Sequence, residues 1–203
     1  MVKKMYIERT SSLAQSPLNL KSCLSTLALH AKVSSKEEKS KLHPAYVSGF
    51  IDGEGCFSLS FRRFPRLKVG VEVIPSFSIG QKITVRNDLL LKQFKLFFKG
   101  GAIRVDKRGL YKYETRSIDH IMREIVPFFK KHPFLGEKLL DFQLFCEACS
   151  LLAAKEHLHR SGLLKILAIA EKMNRSGQRR TSLSDLRVLL EKREQDRSSD
   201  LHK

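Results

Sequence analysis

Between Cys56 and Gln81 the hydrophobic period of this chain is two. Phe57, Leu59 and Phe61 alternate with Ser58, Ser60 and Arg62. From Leu67 to Gln81, the residues Leu67, Val69, Val71, Val73, Phe77 and Ile79 are opposed by Lys68, Gly70, Glu72, Ile74, Ser76 and Ser78. Successive side chains on a strand point to opposite faces, so this pattern predicts two strands, each with one apolar and one mostly polar face. Phe64, Pro65 and Arg66 supply the turn between them. A sheet with a single apolar face needs helices on that face only, and its other face is left available to a ligand.

The remaining segments fit such a sheet. Ala102 to Asp106 and Leu110 to Arg116 read as a second strand pair around Lys107, Arg108 and Gly109, a turn-like sequence. His43 to Gly53 is a short helix, with Pro44 near its start and Gly55 beyond its end. Asn87 or Asp88 caps a helix that runs to about Phe98 and is ended by Gly100 and Gly101. Ser117 starts another, containing Ile118, Ile121 and Ile125, that stops near His132 and Pro133. Amphipathic helices follow over Gly136 to Glu156 and Gly162 to Asn174. A final polar helix from about Leu183 to Glu194 begins at Thr181 and Ser182. The fold class is therefore α+β.

Residues 1–41 form a basic leader or linker, 42–174 the folded domain, and 175–203 a basic helical extension. In the leader, Glu8 is the sole acid before Glu37. Such a composition resembles an organelle transit peptide, which places the protein in a chloroplast or mitochondrion; a basic flexible leader or a reading-frame remnant has the same composition.

Lysine and arginine number 38 against 21 acids, a formal net charge of +17. A compact body carrying that charge repels itself unless a polyanion binds, and nucleic acid is the commonest such partner. An acidic membrane surface is the competing partner. No apolar run approaches the roughly 20 residues of a membrane span, so no membrane association is expected. Cys23, Cys56, Cys146 and Cys149 show no paired metal spacing beyond one CxxC inside an apolar helical run, and they read as buried core thiols.

One short segment combines several unfavourable features. Val47 to Gly55 reads VSGFIDGEG. Gly49 and Gly53 lie four apart on a helix, where each costs roughly 1 kcal/mol relative to alanine. Small residues at that spacing allow another helix backbone to approach closely. Asp52 and Glu54 fall in the last turn, where the helix dipole disfavours negative charge. A divalent cation resolves that conflict, since Mg²⁺ takes hard oxygen ligands from one or two carboxylates; two solvated acids on a fraying helix end would not need one.

Extended to YVSGFIDGEGCFSLSF, the segment resembles the signature of the LAGLIDADG homing endonucleases, in which a motif helix runs straight into the first strand. FSIGQK at Phe77 to Lys82, HPFLGEKLLDFQLF at His132 to Phe145 and GLLKILAIAEKMN at Gly162 to Asn174 also look like the family, so the resemblance covers about His43 to Asn174. It implies an αββαββα core with a saddle-shaped antiparallel sheet. It also implies that two motif helices pack together, each delivering one acid to a metal site. A single motif is present, so the resemblance implies a homodimer, with Gly49, Asp52 and Gly53 at the interface. Val47 and Ser48 stand where the family name has Leu and Ala.

By the same similarity Glu54 is the metal-binding acid for Mg²⁺ or Mn²⁺, with the Gly53 carbonyl as a second ligand. Asp52 caps or buttresses the helix interface. Gln81 corresponds to a polar residue that positions solvent near the metal. Lys138 corresponds to a basic residue expected to stabilise charge at the scissile phosphate, with Lys130 or Lys131 as the alternative that a small alignment shift would select. The implied reaction is metal-assisted hydrolysis of both strands of a duplex.

The polar parity of the strands then becomes the DNA interface: Ser58, Ser60, Arg62, Lys68, Glu72, Ser76 and Ser78, joined by Arg104, Lys112 and Arg116. An antiparallel ribbon fits the major groove, where such side chains discriminate base edges, and two subunits would read a long pseudo-palindromic site. Arg175, Arg179 and Arg180 are expected to touch phosphates. Two other functions remain open: a LAGLIDADG-derived RNA-splicing maturase or DNA-binding regulator without cleavage, and a basic adaptor.

Overall fold

The structure, a computed structural model, describes residues 39–173, 182–188 and 190. Its frame is a four-stranded antiparallel sheet in the order β1-β2-β4-β3. The strands are β1 (Gly55–Arg63), β2 (Val71–Lys82), β3 (Ala102–Val105) and β4 (Leu110–Thr115). Helix α1 (Pro44–Glu54) enters β1 with no intervening loop. His43 caps its start, the His43 ring accepting from the Ala45 N–H, and Pro44 occupies the first turn, where its missing N–H is no loss.

Gly55 makes that abrupt junction possible. A Cβ there would lie 2.4 Å from Ile51 Cγ2 and 2.8 Å from the Ile51 carbonyl oxygen, so any larger residue would push the strand away from the helix.

The hairpin of β1 and β2 departs from expectation at its tip. Phe64 N–H donates to Gly70 O at 2.8 Å, and Gly70 adopts φ 74°, so the turn runs on to Gly70 and β2 begins at Val71. Leu67 and Val69 continue the alternation without being in the ladder, because apolar spacing is blind to where pairing stops. Lys68 thus lies in the turn and not on a strand face, a correction to its expected place. The second hairpin turns at Gly109, φ 73°, with the Asp106 carboxylate accepting from the Arg108 and Leu110 amides.

Helix α2 (Val85–Phe97) starts earlier than Asn87 or Asp88 would set it, because the Thr84 hydroxyl accepts from Asn87 N–H and takes the cap. After β4, Ser117 caps α3 (Ile118–His120) as expected. The chain then widens into a π turn (Ile121–Ile125) before α4 (Val126–Lys131). Val126 N–H reaches back to Ile121 O, which makes room for Pro127, a residue that has no N–H and would crowd a regular helical turn. Helices α5 (Lys138–Ala153) and α6 (Arg160–Lys172) complete the cover. Residues 183–188 are helical, with Ser182 Oγ accepting from Asp185 N–H. Arg175, Arg179, Arg180 and Thr181 lie outside the described residues, as do residues 1–38 of the leader with Cys23 and the expected end of the final helix near Glu194.

Helices α1 to α6 cover one face of the sheet. Phe57, Phe77, Ile79 and Tyr113 are fully or almost fully buried there against Phe129, Phe142 and Phe145. Phe129 is the centre of this aromatic layer, with ring centroids 4.6 Å from Phe134, 5.8 Å from Phe57 and 5.8 Å from Phe77. Of the described cysteines, Cys149 is buried, Cys146 half-buried and Cys56 exposed, so the expectation of core thiols fails for Cys56, which falls on the outward parity of β1. Burial pushes Cys146 up to about 11 and Cys149 higher still, which keeps both as thiols at neutral pH. No helix among the described residues is long and apolar enough to cross a membrane.

Candidate active site

The α1–β1 junction brings three singled-out residues together. Glu54 ends the helix, exposed, and its Oε2 accepts from Gln81 Nε2 at 3.1 Å. Gln81 reaches it because odd-numbered β2 residues share the helix-side parity and Gly55 pairs with Ile79, two residues before Gln81. Lys138, the first residue of α5, places its ammonium on the carbonyl oxygen of Gly55, one residue beyond Glu54. Lys130 and Lys131, the sequence neighbours that could have replaced it, stand at the end of α4 without that contact.

Asp52 faces elsewhere. Its Oδ2 accepts from the Leu135 and Gly136 amides at 3.1 and 3.2 Å. One turn earlier, Ser48 Oγ donates to the His132 carbonyl at 3.0 Å. Residues four apart share a helix face, so Ser48 and Asp52 together tie the loop between α4 and α5 to α1. That loop leads directly into Lys138 at the start of α5, so these contacts anchor the segment just before it. A cleft beside the junction is lined by Gly49, Gly53 and Gly136 together with three acids, Asp52, Glu137 and Asp141, and by Lys138.

The motif glycines have different reasons. Gly55 is required within the chain, as described above. A Cβ at Gly49 or Gly53 would meet nothing within 4 Å, so nothing inside the described fold explains the missing side chains. Beside them Leu135 is 95% exposed, a large apolar residue without cover.

On the opposite face the expected polar parity extends over all four strands, interrupted by Ile74 opposite Ser60 and by Ala102 opposite Glu114. Ser58 pairs with Ser76 and Arg62 with Glu72. Ser78 pairs with Glu114, which in turn pairs with Ala102, and Lys112 pairs with Arg104. Ser76 and Ser78 are nonetheless buried, at 5% and 4% exposure, so their hydroxyls are less open than their parity suggested. Ser60 is exposed and Ser58 half-buried. The cations are engaged with acids: Arg62 Nε donates to Glu72 at 2.8 Å, and Arg104, Lys112 and Arg116 all meet Glu114.

A family model described as LAGLIDADG endonuclease matches residues 47–149. This chain belongs to that family. Among solved structures, the homing endonuclease I-TnaI is similar at 34% identity with a TM-score of 0.65, over 74% of this chain and 97% of its own. I-SmaMI bound to uncleaved DNA target in the presence of calcium ions is 33% identical with a TM-score of 0.65, over 73% of this chain and 48% of that one. A Podospora anserina protein described as an uncharacterized 50.9 kDa protein in ND4 intron 1 is 32% identical over 119 residues, 59% of this chain and 26% of its own length. The chain spans 26% to 36% of the length of the curated relatives it matches.

The four-stranded sheet with helices on one side is the LAGLIDADG fold of these structures. Two features of this LAGLIDADG chain escaped the reading of its sequence. Ser48 was noted only as a replacement, although its spacing from Asp52 placed both on one helix face. Glu114 was passed over, although Lys112, Glu114 and Arg116 alternate at a strand period and so had to share a face.

Proposed function

We propose that this chain is a site-specific double-strand DNA endonuclease, intron-encoded and organellar, that works as a homodimer with a divalent metal. The observation that carries the reading is the meeting of Glu54, Gln81 and Lys138 at the α1–β1 junction, beside two glycines whose small size serves nothing among the described residues. The homing-endonuclease neighbours, one of them bound to DNA with calcium ions, support it.

Hard oxygen donors suit the metal. Glu54 is exposed and keeps one carboxylate oxygen outside its contact with Gln81, and the Gly53 carbonyl is the second candidate ligand. Among the described residues no three His, Cys, Asp or Glu side chains come together as a metal site, so one chain supplies a partial ligand set. A second copy of α1, packed on Gly49 and Gly53, would bring the second Glu54. Mg²⁺ or Mn²⁺ bound there supplies charge neutralisation at the attacked phosphodiester. Gln81 fixes the orientation of Glu54 through its amide N–H. Lys138 spends one of its three donors on Gly55 O and keeps two for a phosphate oxygen. Asp52 and Ser48 anchor the loop just before Lys138.

The test is a plasmid library carrying randomised inserts, incubated with full-length protein and Mg²⁺, then sequenced at newly formed ends. Recurrent cleavage at one sequence, lost in Glu54→Gln, is the expected result. Retention of the same plasmids without cutting would favour a maturase or a DNA-binding regulator. Analytical ultracentrifugation with the selected duplex must show two chains per site; one chain per site would overturn the homodimer.

A further inference from the structure

The polar face of the sheet holds one deeply placed acid among cations. Glu114, near the end of β4, has its side chain only 4% exposed. Its Oε1 accepts from Ser76 Oγ at 2.9 Å and from Lys112 Nζ at 2.9 Å. Its Oε2 takes Arg116 Nε at 2.8 Å together with the Arg104 guanidinium. Burial by itself works to raise this carboxyl, but the bonds from Lys112 and Ser76 and the charges of Lys112 and Arg116 outweigh it and hold Glu114 below the ordinary glutamate range.

A surface that only had to attract phosphate gains nothing from this acid. It cancels one positive charge and engages three cations that would otherwise face the duplex. What it supplies is geometry. A long basic side chain on a strand loses much of its rotamer freedom when a fixed carboxylate holds its head. Arginine has five N–H donors, so Arg104 and Arg116, whose side chains are 45% and 51% exposed, each keep donors beyond those that bond Glu114.

We propose that Glu114 is a positioning residue for sequence discrimination: it holds Arg104, Lys112 and Arg116 in one arrangement from which their remaining donors meet base edges. Ser76 fixes the carboxylate from the neighbouring strand, a role its burial suits better than direct contact with DNA. This inference rests on the duplex reading of the sheet and deepens it by naming how that reading becomes specific.

The experiment is selection of binding sites from duplexes with a randomised core by wild type, Glu114→Gln and Ser76→Ala. It is paired with fluorescence anisotropy on the selected duplex and a mixed-sequence duplex over a salt series. Glu114→Gln should bind mixed-sequence DNA at least as tightly, with a salt slope steeper by up to about 1. Its preference for the selected duplex over the mixed one should fall about tenfold, with the loss confined to one block of base pairs in each half-site. Ser76→Ala should lose discrimination at the same block with the slope unchanged, and it decides alone if Glu114→Gln does not fold. A folded variant that selects the same base pairs at the wild-type ratio overturns the positioning role and leaves the duplex reading intact. Parallel loss of both affinities with a lowered Tm also overturns it, since that marks a purely structural acid. Wild type that enriches no sequence overturns both.

Discussion

Asp52 and Glu54 are two residues apart, and their surroundings assign them different tasks. Asp52 accepts two backbone amides from the α4–α5 loop, whereas Glu54 is exposed and bonds a side-chain amide. Replacing Asp52 by Ala leaves two amides without their acceptor, so we expect a loss of about 1–2 kcal/mol in urea unfolding, with faster hydrogen exchange at Leu135 and Gly136. Glu114 adds a pH term. Its carboxyl is held below the ordinary range, so its stabilising contribution is complete above the unfolded-state value and is lost as the pH falls through the lower folded-state value. Unfolding midpoints followed from about pH 6 to pH 3 should decline more steeply in wild type than in Glu114→Gln; equal slopes would refute the assignment.

Among the elements, α1 makes the sharpest prediction, because its glycines are neutral to the fold of one chain. Gly49→Ala meets nothing within 4 Å and removes a helix-interior glycine, so the folded monomer should gain about 0.5–1 kcal/mol while self-association on DNA weakens. Thermal unfolding and sedimentation on the same sample separate the two effects. In the aromatic layer, Phe129→Ala should cost about 3–5 kcal/mol, read by chemical denaturation, because the ring is fully buried among six other aromatic rings. These two elements were also the most legible in the sequence. The change from helical spacing to strict alternation at Gly55 fixed where α1 meets β1, and the alternating Phe57, Phe77 and Ile79 marked the buried face. Less legible were features decided by single hydrogen bonds. The Thr84 cap, the Phe64–Gly70 turn and the π turn before Pro127 each depend on one backbone partner that no periodicity encodes. At the candidate site the junction residues were readable from the motif, while the latch from Ser48 to the His132 carbonyl joins residues 84 apart and leaves no local trace.

For the molecule as a whole, a net charge of +17 predicts that affinity for any duplex falls steeply with salt. If six to ten phosphates are neutralised, the loss between about 50 and 200 mM salt is on the order of 10³- to 10⁵-fold, measurable by anisotropy on a mixed-sequence duplex; a flat response would exclude backbone contact as the source of binding. The register of the first hairpin carries a geometric consequence. From Gly55 to Arg62 the chain advances seven residues, about 23 Å at the rise of an extended strand. A duplex advances about 3.4 Å per base pair, almost the roughly 3.3 Å rise of one strand residue. Strand and helix axis would therefore keep step like two rulers of equal division, one outward side chain to every second base pair. Inserting a single residue would turn every later outward side chain inward and every inward one outward. New targets are reachable by exchanging letters at fixed positions and closed to changes in strand length.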